Sequence, residues 1–419
     1  MGETMEKKRW IVVVGALLVQ LCLGAIYAWG AFTKALQDPV GDFKFSATQA
    51  QAIFSAGLAT FAIVMILAGR WQDKIGPRKV ALLGGIVLGL GYILAGQFGG
   101  EDFWRLFFFI GIIGGAGIGL GYVCPIAACV KWFPDLKGFV TGLAVAGFGA
   151  GAFIFVKLAG TWGNFITNYG VNGTFSIFGI IFLVSVVIGA LMLSNPPAGY
   201  KPAGWEPKIQ PGQAGLKAED FTQSETAKTH QFWMLWAAFV FSAGAGLMVI
   251  GCLKNYGELQ CSLSSAIAGS ALGLLALFNG LGRIVWGTIS QKLNARRSIG
   301  VMALLQCLML FALPSMGSGE IMFTVAACWI GFNFGGNFAL FPLATAESFG
   351  TKNLGANYGA LFTSYGVGGI VMPILAGRVW DLMGSYYWAF IIAGVICILA
   401  AILGFTVKPP HHLKAQQAV

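Results

Sequence analysis

Long apolar stretches alternate with short polar ones along the whole chain. Runs dominated by Ala, Gly, Val, Leu, Ile and Phe cover residues 10–33, 47–69, 80–98, 104–131, 138–160, 173–194, 230–252, 263–290, 299–315, 320–347, 356–377 and 386–407. Roughly 20 apolar residues let a helix cross the hydrocarbon core, and every run is of that order. The runs are continuous, whereas a membrane barrel needs short strands of alternating polarity. The pattern predicts an all-α membrane protein with twelve transmembrane helices.

The most polar stretch, 195–229, is rich in Pro, Gly and charge and reads as a cytoplasmic linker. It divides six spans from six. The expected organisation is a bundle over 1–194, the linker over 195–229, and a second bundle with a cytoplasmic tail over 230–419. Polar positions repeat across that divide. The loop after span 2 reads GRWQDKIGPRK (Gly69, Asp73, Lys74, Gly76, Arg78, Lys79), and the loop after span 8 reads GTISQKLNARR (Gly287, Gln291, Lys292, Asn294, Arg296, Arg297), offset by 218 residues. Gly138, Gly142, Gly149 and Gly151 at the start of span 5 reappear as Gly355, Gly359, Gly366 and Gly368 in span 11, offset by 217. Two duplicated, pseudo-symmetric six-helix halves are what an alternating-access carrier needs, with a site near the midplane. The glycines let helices approach closely and slide.

Composition agrees with the pattern: 57% of residues are hydrophobic, 10% are charged, and the mean hydropathy is +0.76. A soluble domain carries about 25% charged residues. The net charge of +10 could suggest nucleic acid, but its distribution is topological. With the N-terminus inside, the inner loops hold Lys7, Lys8, Arg9, Arg70, Lys74, Arg78, Lys79, Lys292, Arg296 and Arg297. The outer side holds fewer: Lys34, Lys44, Arg105, Lys157, Lys254 and Arg378. That is the positive-inside bias, so a cell-membrane protein with both termini cytoplasmic is expected, and no nucleic-acid partner. The first apolar run is long and lacks a small-residue cleavage site, so no cleavable signal peptide is expected. Cysteines lie mostly inside spans without metal-ligand spacing; Cys124 and Cys129 read as small apolar packing residues. His230, His411 and His412 sit at the inner surface or in the tail, which argues against a histidine proton relay. No nucleophile motif, phosphate loop or His/Cys/Asp cluster points to an enzyme, and no cofactor is expected. A channel competes with a carrier; lipid is a partner of either.

The loop pattern GxxxDKxGxRK resembles the signature of the major facilitator superfamily, and the likeness extends over nearly all of the chain. It implies the major facilitator fold. Asp73, with Gly69 and Arg78, is then expected to gate. Its carboxylate can accept from helix N-termini and basic neighbours, latching inner helix ends in one state. Gln291 stands in the second copy, where the latch should be weaker. A merely solvated basic loop is the alternative reading.

Further stretches narrow the resemblance: GAIYAWG (24–30), GLGYVCPIAACVKWFPDLKG (119–138), FNGLGRIVWG (278–287), FGGNFALFPLATAESFG (334–350) and NYGALFTSYG (357–366). Together they are similar to the oxalate/formate antiporter family, a relative of the monocarboxylate transporters. The resemblance implies transport of small carboxylates, with the span 8 arginine, Arg283, on the carboxylate. It also implies a second cation eight residues after Asn357, where this chain has Tyr365. A lysine of span 1 in monocarboxylate transporters corresponds to Ala31, with Lys34 one turn on. The acid four residues before the arginine corresponds to Asn279. Phe334, Phe338 and Phe362 fall where the family places aromatics around substrate, and plain packing explains them equally well. Tyr27 and Tyr122 are hydroxyls in apolar spans that could donate to a carboxylate.

The residues alone converge on Arg283. By the apolar run it lies about eight residues from the inner end of span 8, roughly 12 Å at 1.5 Å per residue. A charge at that depth costs at least about 2.5–3.5 kcal/mol, so it should face a water-filled cavity and meet an anion. No span supplies an acid at that depth: Glu347 lies near an inner end and Asp381 outside. The expected counter-ion is the substrate, held by parallel hydrogen bonds from the guanidinium; an arginine bonded to backbone carbonyls is the competing reading. One deep cation suits a monoanion such as lactate, acetate or formate. Asn279 cannot carry a proton, so proton symport, with the proton on the substrate or elsewhere in the site, stands beside exchange of one anion for another.

Overall fold

The computed structural model describes residues 2–410 apart from 39, 161, 203, 206–219, 317 and 318. The middle of the polar linker, His411, His412 and the side chain of Lys34 lie outside the described residues. Twelve helices among the described residues are long and apolar enough to span a membrane. They are α1 (Glu6–Phe32), α2 (Ala47–Ile75), α3 (Pro77–Gly99), α4 (Phe103–Trp132), α5 (Lys137–Ala159), α6 (Phe165–Met192), α7 (His230–Leu259), α8 (Ser265–Leu293), α9 (Ala295–Met316), α10 (Glu320–Phe349), α11 (Leu354–Trp380) and α12 (Tyr387–Thr406). "Inner" denotes the ends that carry the basic loops. Each expected run has its helix, and the ends differ where capping rather than hydropathy sets them. A capping box of Ser46 and Gln49 starts α2, with reciprocal bonds of 2.9 and 3.1 Å. Thr229 caps α7 and Ser264 caps α8. α6 starts at Phe165 rather than 173 because a short leading turn precedes a break at Gly170 (φ 67°, ψ 178°). The apolar span begins beyond that break. α8 runs on to Leu293, so Arg283 stands ten residues, about 15 Å, from its inner end.

The chain divides into two compact units, Met1–Phe133 with Ala144–Tyr200, and Pro134–Leu143 with Lys201–Val419. The first two turns of α5 therefore sort with the second unit. There Gly138 and Gly142 lie so close to α8 that a Cβ on either would run into the carbonyl oxygens of Gly287 and Arg283 respectively.

Within each unit the helices pair in the same way. α2 packs on α4, α3 on α4 and α6, and α1 on α4 and α6; correspondingly α8 packs on α10, α9 on α10 and α12, and α7 on α10 and α12. The repeat extends to single residues. Gly76 between α2 and α3 has φ 89°, ψ 158°, and Asn294 between α8 and α9 has φ 63°, ψ 158°. This region is cheap for glycine and strained for any other residue, so Asn294 holds at a cost the turn that Gly76 adopts freely. Two residues on, Arg78 donates from Nε to the Leu193 carbonyl (3.1 Å) and Arg296 from Nη1 to the Val407 carbonyl (3.2 Å). Those carbonyls belong to the C-caps of α6 and α12. The basic loops thus tie the third helix of each repeat to its sixth.

Two helices depart from α geometry where the sequence motifs fall. α1 tightens into a 3-10 turn over Gly24–Trp29, the GAIYAW stretch, an arrangement that in mid-helix marks strain or a hinge. α11 breaks at Phe362, between Leu354–Leu361 and Thr363–Met383.

Candidate functional site

In the second unit Arg283 is 1% exposed although it carries a permanent charge. Its Nε donates to Asn279 Oδ1 at 3.0 Å, one turn earlier on α8. Its guanidinium carbon lies 4.4 Å from the centroid of the Phe338 ring on α10, within the range of a cation–π contact. Phe338 meets Phe334 edge-on at 5.4 Å and Tyr365 at 5.3 Å. Tyr365 meets Phe362 at 5.1 Å. The structure therefore gathers Arg283, Asn279, Phe338, Phe334, Tyr365 and Phe362 into one cluster, drawn from α8, α10 and α11. These rings supply an apolar setting in which a hydrogen bond or ion pair to the guanidinium is stronger than in water.

The backbone fit of α8 on α10 sets this geometry. A Cβ at Gly335 would run into the Asn279 carbonyl, and one at Gly282 into the Phe332 carbonyl. Gly335→Ala is accordingly expected to push α10 off α8 and destabilise the protein by about 1–3 kcal/mol through overpacking, with Arg283 displaced. Gly280→Ala, whose Cβ meets nothing within 4 Å, should be tolerated. Thermal unfolding of the two variants in detergent compares them; equal melting temperatures would remove the close-approach argument.

Sequence reasoning missed the polar pairs that brace this cluster. Ser242 Oγ on α7 donates to Asn337 Oδ1 (2.7 Å), and Asn337 Nδ2 donates to the Phe334 carbonyl (3.0 Å). Trp286 Nε1 on α8 donates to Asn333 Oδ1 on α10 (3.1 Å). Phe239 stacks on Phe341 at 4.1 Å and reaches Phe362 at 6.0 Å. Asparagines in an apolar helix were the available signal, since buried amides need partners.

In the first unit Tyr122 is 1% exposed and Tyr27 is half-buried. Both rings meet Phe148 edge-on, at 5.2 and 5.6 Å, and Tyr122 also meets Phe61 at 5.1 Å. Gln20 Nε2 of α1 donates to the Tyr122 carbonyl at 3.0 Å. The 3-10 turn puts Tyr27 here, because Gly24 packs against the Phe148 backbone. The two tyrosines thus share one aromatic cluster within the first unit.

The gating candidates lie at the inner end of the first unit. Asp73 at the end of α2 pairs with Lys131 at the end of α4, 3.6 Å apart, and Gln72 donates to the same carboxylate. Arg78 makes the Leu193 bond described above, and Gly69 is buried in α2. In the second unit Gln291 is exposed, and the anion comes from α10 instead. Glu347 accepts from the Ala295 N–H at the start of α9 (3.1 and 3.0 Å) and lies 3.9 Å from Lys137 Nζ. A carboxylate at a helix N-terminus meets unsatisfied N–H groups and the positive end of the dipole. The acid at the second loop stands on a different helix, which the loop repeat could not show.

The Major Facilitator Superfamily family model matches residues 9–373 and 263–418. The chain is 30% identical to the uncharacterized MFS-type transporter YhjX of Escherichia coli (strain K12), over 87% of this chain and 87% of the relative. It is 26% identical to an oxalate:formate antiporter of Oxalobacter formigenes, over 96% and 92%. It is also 26% identical to monocarboxylate transporter 12 of Rattus norvegicus, over 97% and 87%. The fold of the E. coli fucose:proton symporter matches with a TM-score of 0.67 at 18% identity, covering 96% of this chain and 100% of that one. Twelve apolar helices, duplicated basic loops with matched backbone turns, and these relatives lead to one assignment: the chain is a multi-pass membrane transporter and belongs to the Major Facilitator Superfamily.

Proposed function

We propose that the protein is a secondary carrier of small monocarboxylates of the lactate type, working by alternating access and proton symport. It sits in the cell membrane with both termini cytoplasmic, and the bundles 1–194 and 230–419 alternate about the substrate. The observation that carries this reading is the buried Arg283 guanidinium, lying on Phe338 with Nε fixed by Asn279. A guanidinium bonded at Nε and packed on a ring is restricted in orientation, and two parallel N–H groups match a carboxylate. Phe338, Phe334, Phe362 and Tyr365 exclude water around the small apolar remainder of the acid; Tyr27 and Tyr122 are further candidates to donate a hydroxyl to it. Two relatives support the substrate class, since the names of both specify small carboxylates. Asp73, Gly69 and Arg78 serve gating in this reading.

Coupling follows from the charge of the arginine. A desolvated guanidinium crosses a closed intermediate with difficulty. A bound carboxylate compensates it, so the loaded carrier reorients more readily. Asn279 holds the arginine but cannot carry a proton, so the proton travels on the substrate or on another hydrogen-bonded group of the site. An inward proton gradient is therefore expected to accelerate labelled lactate uptake into proteoliposomes, and Asn279→Asp to shift the pH dependence without abolishing transport. The oxalate:formate antiporter relative favours a second reading, anion exchange. Uptake indifferent to the pH gradient but strongly stimulated by internal formate or lactate would select exchange and discard symport. A non-saturating, ohmic current would discard the carrier altogether.

A further inference from the structure

Trp132 closes α4 and Phe349 closes α10. They stand 217 residues apart, the offset of the glycines in α5 and α11, and both are fully buried. Each holds one end of the linker within its own unit. In the first, Trp132 Nε1 donates to the Ser194 carbonyl at 2.7 Å, and its ring meets Tyr200 edge-on at 4.9 Å. Arg78 fixes the neighbouring Leu193 carbonyl. In the second, the Phe221 N–H donates to the Phe349 carbonyl at 3.0 Å, and the two rings meet edge-on at 5.9 Å. The Phe221 carbonyl accepts from Asn353 Nδ2 and Asn357 Nδ2, each at 3.0 Å, and Asp220 Oδ1 accepts from the Lys352 N–H at 3.0 Å. A capping box of Thr222 and Glu225 then starts the short helix Gln223–Ala227.

A polar linker that served only to join two halves would have no use for these bonds. Asn357 is wholly buried, and its Nδ2 donates to linker backbone. The clasped stretches are the two elbows, 132–138 and 349–355, from which α5 and α11 rise. α11 is interrupted just beyond its elbow, at Phe362, and Phe362 and Tyr365 belong to the Arg283 cluster. We infer that the linker ends are a matched pair of clasps that stiffen these elbows, so that α11 bends at Phe362 and not at its root. Trp132, Tyr200, Phe221, Asn353 and Asn357 are thus positioning residues that act on turnover without touching substrate.

The clasp is tested on the full-length protein in lipid nanodiscs and proteoliposomes. Hydrogen exchange needs no substrate and is independent of the proposed function; only the uptake measurement rests on it. Phe221→Ala keeps the backbone bonds but removes the ring packed on Phe349, and should raise amide exchange over 349–361 about two- to tenfold, the loss of one edge-to-face aromatic pair, while α9 and α12 stay protected. Asn353→Ala, at the margin of the clasp, should do the same more weakly, and Trp132→Phe, which keeps a ring and loses the N–H, should loosen 132–138. Lactate uptake by these variants should lose turnover with half-saturation unchanged. Exchange over the elbows that stays at wild-type level in all three variants would overturn the clasp. So would a rise in half-saturation with turnover intact, because the residues would then act on binding. If the wild type does not carry lactate, the substrate assignment fails and the exchange result still decides the clasp.

Discussion

Arg283→Lys is expected to cut transport roughly 10- to 100-fold while the protein still inserts and unfolds near the wild-type temperature. The substitution keeps a positive charge, so an argument from charge alone predicts little change. The geometry predicts otherwise. Arg283 Nε is engaged by Asn279 at 3.0 Å, and the guanidinium carbon lies 4.4 Å from the Phe338 centroid. An ammonium has no planar fork, so it cannot keep the Asn279 bond, pack on the ring and offer two parallel donors together. One hydrogen bond to a charged group is worth about 1.5–3 kcal/mol. At about 1.4 kcal/mol per factor of ten, one lost bond gives the stated range. Initial uptake rates in proteoliposomes, with reconstituted protein quantified, are the measurement. Wild-type uptake with unchanged affinity would remove Arg283 from the carboxylate site.

The membrane made the architecture legible. Every spanning helix must satisfy its backbone internally and show lipid an apolar surface, so twelve runs gave twelve helices. The repeat was legible because its loops carry charge and turn-forming residues at fixed offsets; Gly76 and Asn294 share a backbone conformation that few residue types adopt easily. Arg283 was legible because a charge inside an apolar run is costly enough to need a reason.

Other features were invisible because they belong to contacts between helices. Nothing in GAIYAW distinguishes a 3-10 turn from an α-helix; the close approach of Gly24 to the Phe148 backbone decides it. The apolar run of α6 could not reveal the turn before Gly170. Glu347 was visible as an acid near an inner end, but its partner, the Ala295 N–H, lies on another helix. Ser242 and Asn337 sit on helices far apart in sequence, and only packing shows that they meet. The linker read as polar and solvated from composition, yet Phe221 is 3% exposed and its end is bonded to the loop after α10.

Tyr365→Lys is expected to turn a monocarboxylate carrier toward dicarboxylates. The wild-type position is an aromatic ring, 4% exposed, 5.3 Å from the Phe338 ring that carries the Arg283 guanidinium. A lysine there places a second cation on the cluster that holds the first. With one cation, a monoanion is compensated fully. A dianion such as oxalate or malonate instead leaves one carboxylate desolvated without an opposite charge, which costs several kcal/mol. Wild-type protein should therefore bind lactate more tightly than oxalate. In the variant the balance inverts: two cations with a monoanion leave a net charge at mid-membrane, at about 2.5–3.5 kcal/mol on insertion scales, whereas a dianion neutralises both. A change of that size corresponds to roughly two orders of magnitude in the oxalate-to-lactate ratio. The ratio is read from competition of unlabelled oxalate, malonate and lactate against labelled lactate in both proteins, since a ratio is insensitive to the amount of active carrier. Wild-type protein that already prefers oxalate to lactate would show that the charge count is wrong. A ratio unmoved by Tyr365→Lys would place residue 365 away from the substrate, leaving its ring as packing for Phe362 and Phe338.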